Sequence, residues 1–202
     1  MSIKRFNGAG ISGTKSIKVW DQTTTQNDYQ SIATVIVPSG GQSNITFTNI
    51  PQNFTHLQLR MICQFSSVGD IDMQFNGDST SGTYSYHLFY GQGSSAVANA
   101  TANTNYGAYI GYGAVGTNVF FGAVVDIFDY TNTNKFKVAR SLQGVDTNGS
   151  GGFAMLNSGM WSKAGTGANN SDPITSIKVY SKDAVNFQQF SQIALYGIKV
   201  AS

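Results

Sequence analysis

"NVFFGAVVDIFDYTNTNKFKVAR" (Asn118–Arg140) is two apolar runs joined by a polar knot, and its reading decides the fold. Period-two alternation puts Val119, Phe121, Ala123, Val125 and Ile127 on one face of an extended segment and Phe120, Val124 and Phe128 on the other. A strand apolar on both faces belongs in the middle of a sheet. In the knot, "YTNTN" supplies Asn and Thr, whose side chains bond nearby backbone groups and let Asn adopt left-handed conformations, so it is a turn. The returning run alternates Phe136, Val138, Arg140 and Leu142 against Lys135, Lys137, Ala139 and Ser141, which predicts Lys135 and Lys137 facing solvent. Asp126 and Asp129, three apart, point opposite ways along a strand. That is poor geometry for a paired acid and base, and the expectation is a structural role for both.

Composition extends the β reading to the whole chain. All ten acidic residues among the 202 are Asp, so the good helix former Glu is missing, and charged residues make up 11% against roughly 25% in ordinary soluble domains. Gly, Ser, Thr, Asn and Tyr dominate instead, the residues of turns and strands. Apolar segments of strand length recur between Gly, Asn, Asp, Ser and Pro clusters from residue 31 onward. "THLQLRMICQ" sends Leu57, Leu59, Met61 and Cys63 to one face, "IDMQFNGD" does so with Ile71, Met73 and Phe75, and "TYSYHLFYG" with Tyr84, Tyr86, Leu88 and Tyr90. About ten strands result, with 91–117 read as a long Gly/Tyr loop holding one short strand. The expected fold is all-β, a jelly-roll-like two-sheet β-sandwich over 31–202 behind an extended N-terminal arm, residues 1–30. Phe121, Val125, Leu59 and Leu195 are expected in its core.

Net charge is +2 with cations thinly spread, which argues against nucleic acid. No apolar run approaches the roughly 20 residues of a membrane span, and the single Cys63 makes no intrachain disulfide, so a reducing cytosol is the expected place of folding. His56 and His87 sit in neither a nucleophile elbow nor a zinc-ligand spacing, and no catalytic residue or cofactor is expected. "GDID" (69–72), "FNGDST" (75–80) and "DTNGSGG" (146–152) put oxygen ligands on Gly-rich loops, making Asp146 and Asn148 weak candidates for a structural cation, although Asp and Asn equally make turns. Tyr90, Tyr106, Tyr109 and Tyr112 are candidates for a subunit interface or a glycan site, alternating Tyr also being ordinary strand packing. In the arm, Lys4, Arg5, Phe6 and Trp20 are expected to make assembly contacts, since this segment cannot bury enough apolar surface to order itself. Trp161 is expected to anchor an edge of the core.

The segments "TFTNIPQNFTHLQLR" (46–60), "FNGD" (75–78), "YSYHLFYGQGSS" (84–95), "VVDIFDYTNTNKFKVARSLQGVDTNGSGG" (124–152), "LNSGMW" (156–161), "ITSIKVYS" (174–181) and "FQQFSQIALYGIKV" (187–200) resemble, in order and spacing, virion structural proteins of tailed bacteriophages, notably marine and cyanobacterial ones. The resemblance spans about residues 31–200 and leaves out the arm. It implies a non-enzymatic place in a virion assembled in the bacterial cytoplasm. The first expectation is a capsid cement or decoration protein, with the major capsid protein or tail proteins of the same virion as its partner. The alternative is a tail-fibre or receptor-binding module for a host glycan. A homo-oligomer, by analogy a trimer, is expected.

Overall fold

A computed structural model describes residues 29–113, 119–147, 151–163 and 172–199. The arm residues Lys4, Arg5, Phe6 and Trp20, and Asn148 of the cation reading, lie outside these. Among the described residues there are twelve strands: β1 (Tyr29–Ile36), β2 (Asn44–Phe47), β3 (His56–Cys63), β4 (Gly69–Phe75), β5 (Tyr84–Gln92), β6 (Ser95–Thr104), β7 (Ala108–Gly113), β8 (Phe121–Phe128), β9 (Lys137–Asp146), β10 (Gly152–Trp161), β11 (Ile177–Tyr180) and β12 (Gln192–Ile198).

They form two antiparallel sheets, an eight-stranded one in the order β1-β12-β3-β8-β9-β10-β5-β6 and a four-stranded one in the order β2-β11-β4-β7. Read without β5, β6, β9 and β10, the order is β1-β12-β3-β8 facing β2-β11-β4-β7, in which successive strands alternate between layers except for β4 and β7, which pair within the small sheet, as in a jelly roll. The hairpin β5–β6 is inserted between β4 and β7, and the hairpin β9–β10 between β8 and β11. Both extend the large sheet past β8. β8 is therefore interior to the sheet, as its two apolar faces require.

The core lies between the layers. Leu59 is opposite Val125 on one side and Leu195 on the other, and all three are fully buried together with Phe121. Phe65 packs edge-on against Phe121 and Phe187, at 5.4 and 4.8 Å between ring centroids. At the other end Trp161 stacks near Tyr84 and Phe75, and its Nε1–H donates to Asp78 Oδ2 at 2.7 Å. Cys63 is buried, as a small apolar residue would be, and burial pushes its thiol up.

Three expectations need correction. The described residues of 91–117 hold two strands, β6 and β7, where the sequence suggested a loop with one; small side chains hid β6, because Ala, Asn and Thr in alternation give no apolar signal. The returning strand runs in the opposite phase: Lys137, Ala139, Ser141, Gln143 and Val145 face the core, while Val138, Arg140 and Leu142 face out. Lys137 is buried because its ammonium donates to the carbonyl of Asn132, capping the preceding turn, whereas Lys135 stays exposed and pairs with Asp129. And β1 already begins at Tyr29, inside the segment assigned to the arm, where its ring stacks on Tyr196 at 4.8 Å.

Candidate functional site

The large sheet has eight strands and the small one four, so the inserted strands carry an inner face that the small sheet covers only in part. β7, the edge strand of the small sheet, lies over β9, β10 and β5. Where it begins, the layers almost touch: a Cβ on Gly159 would stand 2.8 Å from the Cβ of Ala108. Further along, aromatic rings bridge the layers, Tyr109 stacking on Tyr86 at 5.0 Å and Tyr112 meeting Phe153 edge-on at 5.8 Å. Beyond them opens a cleft of about 590 Å³ whose lining includes Asp70, Leu88, Tyr90, Gln92, Tyr109, Tyr112, Thr147, Phe153 and Met155. The inserted hairpins supply one wall and β4 and β7 the other.

Three of the four candidate tyrosines, Tyr90, Tyr109 and Tyr112, thus meet at one place although they come from two sheets. Tyr106 does not join them; it is exposed, and its carbonyl accepts the hydroxyl of Tyr180. The sequence pointed to none of Asp70, Gln92 and Phe153 as partners of the tyrosines, because the pairing of β10 with β5 and of β7 with β4 is long-range.

Behind the cleft lies a carboxylate cluster on β4. Asp70 is tied to the Lys182 ammonium at 2.6 Å, and its backbone N–H donates to Asp183 Oδ2 at 2.8 Å. Burial works against the Lys182 charge, but hydrogen bonds to Asp70 and Asp183 outweigh it and hold its pKa above the ordinary lysine value. Asp72, on the same strand, is fully buried; desolvation, reinforced by Asp70 and Asp183, pushes its carboxyl up to about 7 against the pull of the Lys182 backbone N–H and ammonium. Of the two, Asp70 lines the cleft and Asp72 is buried behind it. Burial, with Asp70 and Asp72 adding to it, also pushes the Tyr109 phenol up, leaving it a neutral donor.

The other candidates are accounted for structurally. Asp126 accepts from Gln58 Nε2 at 2.7 Å and from Arg140 at 3.1 Å, while Asp129 pairs with Lys135 and its N–H donates to His56 Nδ1 at 2.9 Å. The two aspartates belong to separate contacts, as their spacing predicted. His87 is exposed on the outer face of β5. Asp78 of "FNGDST" caps its own turn through Thr80 N–H at 2.9 Å and anchors Trp161. Burial would raise its carboxyl, yet the bonds from Trp161, Thr80 and Thr83 prevail and lower it. Asp146 is exposed, and among the described residues no three His, Cys, Asp or Glu side chains are placed to hold a metal ion.

A second feature lies on the outer face of the large sheet. Val124, Leu142, Leu156 and Phe89 stand opposite one another on β8, β9, β10 and β5, with Leu142 63%, Leu156 46% and Phe89 54% exposed. In the next row along the strands stand Gly122, Gly144, Ala154 and Gly91, none larger than a methyl. An apolar ridge thus runs across four strands beside a flat floor. Single exposed apolar side chains are ordinary, but a contiguous row is the mark of an interaction surface.

No family model, curated protein or solved structure matches the chain.

Proposed function

We propose that the chain is a non-enzymatic structural subunit of a tailed-bacteriophage particle, a cement or decoration protein that adds buried area between shell subunits. The observation that carries this reading is the ridge of Val124, Leu142, Leu156 and Phe89 on the outer face, water-exposed in the isolated chain and costly to leave so. Burying it against a neighbouring subunit supplies the apolar contact that a cement protein needs, and the adjoining row of glycines lets that neighbour's side chains approach the backbone. The ordered resemblance of residues 31–200 to virion structural proteins supports the same reading. Homo-oligomerisation, with the trimer as the proposed unit, is supported by β6: this strand, Ser95–Thr104, is an edge of the large sheet among the described residues and has ten residues without a charge or a proline to deter pairing.

The test is a charge placed on the ridge. Leu142→Lys combined with Leu156→Glu, an opposite-charge pair facing across β9 and β10, is expected to fold with a Tm close to that of the unaltered chain, since both side chains are exposed, and to be absent from purified particles that incorporate the unaltered chain. Incorporation at the unaltered level would show that the ridge does not seat the protein.

A further inference from the structure

We infer that the cleft bordered by Tyr90, Tyr112 and Gln92 is a binding site for a neutral carbohydrate. The inference does not rest on the particle reading, because the cleft and the outer ridge lie on opposite faces of the large sheet.

The jelly-roll scaffold closes without β5 and β10, yet these strands carry half-buried aromatic side chains on an inner face that the small sheet leaves partly open. At about 590 Å³ the cleft is within the range of small-molecule sites, roughly 300–1,000 Å³, and has room for a short oligosaccharide. Its rim mixes aromatic rings with a carboxamide and a hydroxyl, those of Gln92 and Thr147. That is the pattern a pyranose requires, with C–H faces on rings and hydroxyls on polar groups.

Charge selects among ligands. Asp70 is the one charged side chain among the described lining residues, and it is paired with the Lys182 ammonium 2.6 Å away, which Asp183 shares at 2.9 Å. With no lysine or arginine among those lining residues, a phosphate or a sialic-acid carboxylate has nothing to pair with, and the paired Asp70 gives a cation little. A neutral, hydroxylated ligand remains. The site is also fixed in advance: Tyr112 is held at both its backbone N–H and C=O by the buried side chain of Gln143, so little ordering is needed on binding.

The full chain would be applied to immobilised neutral di- to tetrasaccharides of hexoses and N-acetylhexosamines, beside sialylated and sulfated oligosaccharides, and affinities then measured by surface plasmon resonance. Retention of a neutral saccharide is expected. Tyr90→Ala should weaken it by about tenfold or more and Tyr90→Phe should not, as befits a stacking ring. Gln92→Ala, at an exposed position that the fold does not need, should weaken it as well, which separates loss of the site from loss of folding. No retained neutral saccharide, retention of anionic saccharides alone, or affinities unchanged in both alanine variants would overturn the assignment.

Discussion

Gln143 on β9 holds Tyr112 on β7 by two hydrogen bonds across the layers: its Nε2 donates to Tyr112 O at 2.6 Å, and its Oε1 accepts from Tyr112 N–H at 2.7 Å. β7 is an edge strand, and the carboxamide offers it the donor and acceptor that a further strand would supply. Gly111 makes room, since a Cβ there would lie 2.1 Å from Gln143 Oε1.

Gln143→Ala leaves both backbone groups of Tyr112 without that partner and should cost about 2 kcal/mol, read from denaturant unfolding. Gly111→Ala should cost a similar amount by expelling the same carboxamide. Because the two act on one contact, Gly111→Ala with Gln143→Ala should cost clearly less than the sum; additivity would refute the coupling.

Asp72 makes stability fall as pH rises. Its folded pKa, about 7, lies above the ordinary carboxyl value near 4, so the folded chain holds a proton that the unfolded chain has lost. Stability therefore declines from about pH 4 to about pH 7 and levels off above, with a ceiling of about 4 kcal/mol for a shift of this size. Asp72→Asn, whose amide oxygen still accepts the Lys182 N–H, should be more stable than the unaltered chain at pH 8 and nearly equal to it at pH 4. Parallel stability curves would contradict this.

Asp78 acts with the opposite sign. Its carboxyl is lowered, so its contribution is full above the ordinary carboxyl range and is lost as pH falls through the folded value. Asp78→Ala should lower Tm at pH 7 by the loss of the Trp161 and Thr80 hydrogen bonds, about 1.5–3 kcal/mol, with a smaller deficit at pH 3. A deficit independent of pH would mean that the carboxylate charge plays no part.

Lys135 and Lys137, alike in sequence, should differ on truncation. Lys135→Ala removes an exposed ion pair and should change stability by less than about 0.5 kcal/mol. Lys137→Ala removes a buried side chain and uncaps the Asn132 carbonyl, and should cost about 2 kcal/mol or more. Equal effects in thermal unfolding would restore the solvent-facing reading of Lys137.

What the sequence discloses and what it hides follow from the range of each interaction. Alternation is local, so Leu57 to Cys63 and Phe121 to Ile127 read correctly as core faces, and the Asn76-Gly77 turn, with φ of 52° and 68°, is legible from its dipeptide. Lys137 defeated the same rule because a long amine can lie along the core face while its head reaches a carbonyl at the turn. The cleft was half legible: tyrosines in a row marked Tyr90, Tyr109 and Tyr112, but only the long-range insertion of β9–β10 beside β5 brings Phe153 to them and leaves the inner face open. The outer ridge was hidden because Val124, Leu142 and Leu156 are indistinguishable in sequence from core residues until the register places them opposite one another on the solvent side.

The measurement that tests the central claim most directly is the copy number of this protein in purified particles, by quantitative mass spectrometry relative to the major shell protein. A ratio near that of the shell's lattice sites is predicted for a cement protein. Absence from particles would contradict a structural role, and a ratio lower by one to two orders of magnitude would contradict cementing and move the protein to the tail.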